Sequence, residues 1–237
     1  MRITGTLTAT ALSALCLVGV AACSGDGGTS GPTQQAELTP AQRLAAAKTK
    51  VDAAESVHLK LTSANVPKDA SGLVSADGWG KHPPAFKGTF KVSIKGVQAD
   101  AELTAIGSDV WAKLPLIPGT NKINPADFGF PNPADLFAPA TGITTLLPAT
   151  TGAAAGEKKR QGSEIVTPIS GTIPGQKVVD LLKFGSAAGT YQATFALTDS
   201  QELRSVELVG PFFGTGTSTT YTVTLDQYGV PTTIEKP

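Results

Sequence analysis

Four side chains in this sequence could supply nucleophilic or soft metal-binding chemistry, and their spacing separates them into two groups. The cysteines are Cys16 and Cys23, within and directly after an apolar run near the start of the chain. The histidines are His58 and His82, which look isolated, because neither has a partner at a metal-ligand spacing. We therefore expect no metal site and no nucleophile that is activated by a histidine base.

Other catalytic patterns in the sequence are incomplete. Residues 216–220 approach a serine-hydrolase elbow but lack its final glycine. Residues 214–216 begin like a dinucleotide loop, yet the third glycine and the following helix are missing, which indicates a turn. The acidic residues are scattered over polar strand positions without a pair that could flank a cleft. We predict neither enzymatic activity nor a cofactor.

The surroundings of Cys23 give it a different chemistry. A basic start, an apolar run over residues 9–22 and small residues before Cys23 are typical of a secretory signal. The sequence VAAC at residues 20–23 resembles a bacterial lipobox, whose cysteine is diacylated through its thiol and becomes the new N-terminus. An ordinary signal peptide with a chance cysteine is the alternative. A transmembrane anchor fits less well, because the run is short and contains threonine, serine and glycine.

Lipidation at Cys23 would divide the chain into three parts. Residues 1–22 are predicted to be the lipoprotein signal peptide, residues 23–38 a lipidated flexible tether, and residues 39–237 a single domain. Cleavage would remove Cys16 and leave one thiol, committed to lipid, so the domain would fold without a disulfide. Two or three acyl chains attach a protein stably. We expect it on the extracytoplasmic face of the cell membrane.

The charge balance argues against one class of partner. The chain has 19 basic and 19 acidic side chains, so no basic field is available to neutralise phosphates. We therefore expect no nucleic acid. The small basic cluster at residues 158–160 is predicted to be a solvated loop, with a phospholipid headgroup contact as the alternative.

The secondary structure follows from the period of the apolar positions. Thr39, Pro40 and Gln42 form the start signal of a helix, and the apolar residues after them recur at helical spacing. From Val57 the period changes to two, which indicates a strand. Alternating strands are predicted over residues 57–62, 86–95, 98–105, 110–114, 164–173, 191–197, 206–208 and 221–225, with a short helix over residues 174–183.

Residues 115–160 interrupt this rhythm, because proline recurs and no strand pattern is sustained. Short helices are predicted near residues 132–137 and 141–147. Long irregular connections in compact domains tend to be lids or binding loops. The C-terminal residues 230–236 could close the sheet edge. The order of elements predicts an α+β fold with a long antiparallel sheet.

Small residues such as Ala101 and Ala112 occupy inward strand positions where larger apolar residues are usual. A face lined with alanine either lets a helix approach closely or leaves space for an apolar ligand. Close packing is favoured by the residues alone, since protein interiors contain few voids. The strand periods place these side chains inward: Phe90, Val92, Ile94, Leu103, Val110, Ala112, Tyr191, Phe195, Val206, Tyr221 and Val223.

The chain resembles the LppX/LprA/LprF/LprG family of mycobacterial-type lipoproteins and, within it, is most similar to LprG. The likeness extends from residues 54–59 to residues 233–237. Its most characteristic stretches are GTFKV at residues 88–92, NPADLFAPATGI at residues 132–143 and ISGTI at residues 169–173. None of these stretches is a catalytic signature.

The resemblance implies a half-barrel, in which a strongly curved antiparallel sheet has helices against its concave face and encloses an apolar cavity. Family members are understood to carry multi-acylated lipids and glycolipids through the cell envelope. The implied partners are such a lipid, the membrane through acylated Cys23, and a membrane transporter. The expected cavity residues are Phe90, Val92, Ile94, Ala101, Leu103, Val110, Ala112, Leu136, Ile143, Leu147, Tyr191, Phe195, Val206, Tyr221 and Val223.

Two other functions stay open on the sequence. The first is a sensor, regulatory or assembly lipoprotein of the envelope that has the same fold and no transport activity. The second is an enzyme that acts on lipids or glycans, which the missing nucleophile and base disfavour. Copurified acyl chains would favour the carrier, and a protein partner recovered without lipid would favour the regulatory alternative.

Overall fold

Most of this fold consists of antiparallel strands. The computed structural model describes residues 37–115, 117–214 and 216–237. The α-helices are α1 (Pro40–Ala53) and α2 (Gly175–Leu182). The strands are β1 (Ser56–Ala64), β2 (Gly72–Lys81), β3 (Ala85–Ile94), β4 (Val97–Ile106), β5 (Asp109–Lys113), β6 (Asn121–Ile123), β7 (Thr151–Ala155), β8 (Lys159–Gln161), β9 (Glu164–Pro174), β10 (Thr190–Leu197), β11 (Leu203–Gly210) and β12 (Thr219–Asp226). Short 3₁₀ helices cover Pro125–Phe128, Asp135–Phe137 and Ile143–Leu146.

The strands form one long sheet in the order β6-β5-β4-β3-β2-β1-β12-β11-β10-β9-β7, and β8 also pairs with β9. Neighbouring strands are antiparallel wherever they pair. β1 lies beside β12, so the first and last strands of the chain meet in the middle of the sheet. Among the described residues, the edge strands β6 and β7 do not pair with each other, and the sheet is therefore open.

Helix α1 begins as the sequence predicts. The Thr39 hydroxyl accepts a hydrogen bond from the Gln42 backbone N–H at 3.3 Å, and the Gln42 side chain accepts one from the Thr39 N–H at 2.9 Å. This reciprocal pair is a capping box, which satisfies N–H groups that the first helical turn leaves without partners. The buried face of the helix consists of Leu44, Ala47 and Val51.

One face of the sheet, here called the apolar face, carries apolar side chains across most of its width. Because successive side chains alternate between the two faces, residues in register across paired strands lie on the same face. Phe90 on β3 lies opposite Ala101 on β4, and the row continues strand by strand toward β9. Its members are Ala101, Phe90, Ala76, Leu61, Val223, Val206, Phe195 and Ile169.

Strand β2 was not among the strands that the sequence predicted, because its glycines interrupt the alternation. Those glycines leave room for aromatic rings that lie directly on the backbone. A Cβ atom at Gly78 would lie 2.6 Å from Cζ of Phe86, and one at Gly80 would lie 1.9 Å from Cε1 of Phe137. The rings of Phe86 and Phe137 stack with their centroids 5.9 Å apart. Close approach of a ring, and not a break in the strand, explains these glycines.

The prediction that residues 230–236 close the sheet edge is wrong. The chain after β12 has no strand and crosses the end of β1 and β2 instead. The Gly229 N–H donates to the Ser56 carbonyl at 2.8 Å, and Nζ of Lys81 donates to the Thr232 carbonyl at 3.0 Å. The edges of the sheet are β6 and β7, which both come from the proline-rich middle of the chain.

Candidate functional site

A small apolar cavity lies between the apolar face and the connection that precedes β7. Its volume is about 40 Å³, whereas pockets for drug-sized ligands measure roughly 300–1,000 Å³. The sheet contributes Leu59, Phe195, Leu203, Val206, Val223 and Leu225 to its wall. The remaining lining residues are Val51 and Asp52 of α1, His82, and Leu136, Phe137, Ile143, Thr144, Leu146 and Leu147. In this conformation the cavity is too small for an acyl chain.

Residues 135–147, here called the cover segment, form the side of the cavity that faces the sheet. They contain the two 3₁₀ helices that match the short helices predicted in this region. A tight turn joins them, in which the Gly142 N–H donates to the Ala138 carbonyl at 2.6 Å. A Cβ atom at Gly142 would lie 2.4 Å from the Leu136 carbonyl oxygen, so this turn has no room for a larger residue. Leu146 and Leu147 are buried.

An ion pair on α1 fastens the cover segment at the cavity wall. Nζ of Lys48 lies 2.5 Å from Oδ2 of Asp52 and donates to the Pro139 carbonyl at 2.6 Å. The hydroxyl of Thr144 donates to Oδ1 of Asp52 at 2.7 Å, and Lys48 Nζ is 3.1 Å from the same hydroxyl. The Lys48 and Asp52 side chains are 24% and 17% exposed, so water competes only weakly for these bonds. We call this group the Lys48–Asp52–Thr144 cluster.

The predicted cavity residues fall into separate places. Those that line the cavity are Leu136, Ile143, Leu147, Phe195, Val206 and Val223. Those buried elsewhere are Ala101, Val110, Ala112, Tyr191 and Tyr221. Phe90 and Val92 on β3 and Leu103 on β4 are half-buried on the apolar face and do not line the cavity. Ile94, which was predicted to point inward, lies on the apolar face, but 50% of its surface is exposed because it is the last residue of its strand.

Tyr191 and Tyr221 belong to an aromatic cluster that the sequence analysis did not foresee. The ring of Phe212 packs edge-on against both tyrosines, with centroid distances of 4.7 Å in each case. The hydroxyl of Tyr191 accepts from the Ser186 N–H at 2.9 Å, and that of Tyr221 donates to the Leu73 carbonyl at 2.8 Å. Burial raises the pKa of Tyr221 above its usual range, so this phenol stays protonated. Only the folded chain brings Phe212 to the two strands.

His58 is not isolated, which corrects the prediction from the sequence. On the face of the sheet opposite the apolar face, its Nδ1 lies 2.7 Å from Asp226 Oδ1 and its Nε2 lies 3.0 Å from Asp77 Oδ1. Burial disfavours the charged ring, but the bonds to Asp77 and Asp226 outweigh it and raise the pKa of His58 above its usual value. The part of the chain that the structure describes contains no cluster of three such side chains suited to a metal ion.

The predicted lipidation site, Cys23, and the predicted signal peptide lie outside the described residues. Neither described helix is long and apolar enough to cross a membrane.

Comparison with known structures supports the architecture. The crystal structure of LprF from Mycobacterium bovis matches with a TM-score of 0.68 at 17% identity, over 84% of this chain and 96% of that chain. The lipoprotein LppX of Mycobacterium tuberculosis matches with a TM-score of 0.61 at 17% identity, over 83% of this chain and 98% of that chain. These likenesses establish a curved, unclosed and mostly antiparallel sheet with two helices, as predicted.

Sequence comparison gives the family. No curated protein matches this chain significantly. The sequence profile described as LppX_LprAFG lipoprotein, however, matches residues 39–234, which include every helix and strand of the fold. The resemblance to this family is thereby confirmed, and the chain belongs to the LppX/LprA/LprF/LprG family of lipoproteins.

Proposed function

We propose that this protein binds the acyl chains of a lipid or glycolipid on the concave, apolar face of its sheet. Anchored to the extracytoplasmic face of the cell membrane through acylated Cys23, it would carry this ligand through the cell envelope. A membrane transporter would be its partner at one end of that route. The observation that carries the proposal is the apolar row from Ala101 on β4 to Ile169 on β9.

An acyl chain needs apolar surface more than it needs specific polar groups. Each buried CH₂ contributes roughly 0.8 kcal/mol, so a chain laid across several strands gains binding energy at every step. The apolar row provides such a surface, and the adjoining cavity wall is formed mainly by leucine, valine, isoleucine and phenylalanine. The family assignment supports the proposal, because the family consists of lipoproteins. The fold of this chain is similar to those of LppX and LprF.

Binding requires the cavity of about 40 Å³ to enlarge several-fold. The cover segment is the part best suited to move. Its regular structure is limited to two 3₁₀ helices of three and four residues, which begin without side-chain caps. Its polar attachment to α1 is confined to the Lys48–Asp52–Thr144 cluster and the Pro139 carbonyl. In the lipid-bound state we expect the cover segment to be lifted from the sheet, with acyl chains between them.

A matched pair of variants on β11 tests this proposal. Val206 lines the cavity, and Val209 lies on the opposite face of the same strand. Val206→Phe should fill the cavity and lower the affinity for a fluorescent fatty acid about tenfold, whereas Val209→Phe should leave it unchanged. Overpacking costs about 1–3 kcal/mol of stability, so thermal unfolding is measured on both variants. Native mass spectrometry of the wild type should reveal copurified acyl chains.

Equal affinity of the two variants for the fatty acid would place the binding site elsewhere. Absence of acyl chains in the native mass spectrum, together with no saturable binding of the fatty acid, would contradict the proposal. A protein partner crosslinked in the absence of lipid would then favour a regulatory or assembly lipoprotein.

A further inference from the structure

The turn between β3 and β4 presents two exposed aliphatic side chains next to each other. Ile94 and Val97 are partners in the strand register, and they are 50% and 70% exposed. The two residues between them are Lys95 and Gly96, both with positive φ angles of 50° and 82°. We call residues 94–97 the hairpin tip.

The hairpin tip is the end of the apolar face. On β3 the same face carries Phe90, Val92 and then Ile94, since every second side chain points to one side. On β4 the corresponding register partners are Ala101, Ala99 and Val97. No polar side chain interrupts these two rows. An acyl chain could therefore move along them from the hairpin tip to the middle of the sheet without leaving an apolar surface.

The fold braces the hairpin tip and places lysines beside it. The Lys95 N–H donates to the Ser71 hydroxyl at 3.0 Å, which ties the turn to the loop between β1 and β2. A Cβ atom at Gly96 would lie 3.0 Å from the Lys68 carbonyl and 3.8 Å from an Asp69 carboxylate oxygen, so that loop packs against the turn. The loop over residues 65–71 and the turn at residues 95–96 together carry two lysines, Lys68 and Lys95, and one acidic residue, Asp69. Lysines around exposed aliphatic side chains suit an anionic, apolar partner.

The turn between β5 and β6 also carries an exposed aliphatic side chain. β5 runs from its pairing with Ile106 toward the hairpin-tip end of β4, and its last residue, Lys113, pairs with Glu102. Ile117 lies in this turn and is 49% exposed.

We propose that the hairpin tip inserts into the headgroup region of a lipid bilayer, where it connects the apolar face with the membrane. This inference rests on the proposed function, because it supplies the route by which acyl chains enter and leave. Burial of exposed aliphatic side chains in the interfacial layer is favourable, and lysines next to them contact lipid phosphates. A bilayer is preferred to a protein partner because the bilayer is also the source of the ligand.

The start of α1 lies at the opposite end of the sheet. Nε of Arg43 donates to the Gln201 side chain at 2.7 Å, in the turn between β10 and β11. Because neighbouring strands run in opposite directions, that turn lies at the end of the sheet away from the hairpin tip. The residues from Cys23 to Leu38 span at most about 50 Å when extended, and a ten-residue strand measures about 33 Å. The chain is therefore long enough for the hairpin tip to reach the bilayer that holds the anchor.

Site-specific fluorescence quenching tests this orientation. The mature, lipidated protein is predicted to have no free thiol, so Val97→Cys introduces a single labelling site. Val230→Cys is the matched control, because Val230 is 41% exposed and follows a residue bonded to Ser56 at the opposite end of the sheet. Each labelled protein is reconstituted into phosphatidylglycerol–phosphatidylcholine vesicles that contain a nitroxide-labelled lipid. Quenching at position 97 should exceed quenching at position 230 several-fold.

Equal or stronger quenching at position 230 would overturn the inference, because the protein would then approach the membrane with the end that carries the anchor. A response at position 97 to envelope proteins but not to vesicles would also overturn it. The double variant Ile94→Ser/Val97→Ser should slow transfer of a fluorescent fatty acid from vesicles several-fold more than it lowers the solution affinity for that fatty acid. Normal binding without quenching at position 97 refutes this inference alone. Quenching without any fatty-acid binding refutes the proposed function and leaves the membrane contact in place.

Discussion

At the scale of single residues, His58 shows how strand register creates chemistry that local sequence does not reveal. Asp77 and Asp226 are 19 and 168 positions away from His58 in the sequence. They become its neighbours only because β1 pairs with β2 on one side and with β12 on the other. The ring therefore joins three strands at the place where the two halves of the chain meet.

The raised pKa of His58 predicts a pH-dependent stability. Below the unfolded pKa of about 6.5, the ring is charged in both states and its pairing with Asp77 and Asp226 contributes fully. As the pH rises through the higher folded pKa, this contribution is lost. The free energy of unfolding in urea should therefore fall as the pH rises above about 6.5, and His58→Gln should remove that slope at a cost of about 0.5–1 kcal/mol at the acidic end.

Asp100→Asn is the control for His58→Gln, since Asp100 lies on the same polar face and pairs with Lys91 at 3.7 Å. That variant should keep the slope of the wild type. An identical slope in His58→Gln would show that the ring does not change its protonation between the folded and unfolded states in this range.

At the scale of elements, a polar contact attaches the cover segment to α1. The hydroxyl of Thr144 is buried and donates to Asp52, whose other oxygen is held by Lys48. If this hydroxyl is removed, Asp52 retains Lys48 but loses its hydrogen bond to the cover segment. The cost of losing such a buried bond is about 1–3 kcal/mol, which is small enough to loosen a segment without unfolding the domain.

Thr144→Val should therefore increase amide hydrogen exchange selectively in residues 135–147 and accelerate uptake of a fluorescent fatty acid. Thr49→Val makes the same chemical change on the exposed side of α1, where the hydroxyl only donates to the Ala45 carbonyl at 3.1 Å. It should have neither effect. Faster exchange throughout the domain, or no change in residues 135–147, would mean that the Lys48–Asp52–Thr144 cluster does not hold the cover segment.

The elements themselves were largely predictable, because most strands alternate strictly between apolar and polar residues. The strand of Phe90 and Val92 and the capped start of α1 at Thr39 follow from local patterns. β2 could not be found in this way, because Gly78 and Gly80 leave room for aromatic rings from β3 and from the cover segment. The packing of Phe212 against Tyr191 could not be predicted from the periodicity of the sequence either.

The candidate site was predictable only in part. The direction of a side chain along a strand does not reveal which other element packs over that side chain. Val206 and Val223 point to the apolar face as predicted and line the cavity. Ala112 points inward too, but it is fully buried away from the cavity. The difference is set by where the cover segment lies, and the irregular sequence of that segment carries no periodic signal.

At the scale of the whole molecule, lipid binding and membrane attachment are predicted to reside in different parts of the chain. The apolar face and the cavity belong to the unit that begins at Leu38. The predicted acylation is at Cys23, fifteen positions earlier in the sequence. Removing the anchor should therefore leave the binding surface intact, and blocking the binding surface should leave the anchor intact.

Cys23→Ala tests this separation. Without its acyl chains, each worth roughly 0.8 kcal/mol per buried CH₂, the protein should lose its stable attachment to the membrane and appear in the soluble fraction. Its affinity for a fluorescent fatty acid should stay within about twofold of the wild type, since the apolar face is unchanged. Cys16→Ala is the matched control, because this cysteine lies in the predicted signal peptide and should not affect attachment. If Cys23→Ala fractionates with the membrane as the wild type does, the lipobox prediction is wrong and the apolar run itself holds the protein there.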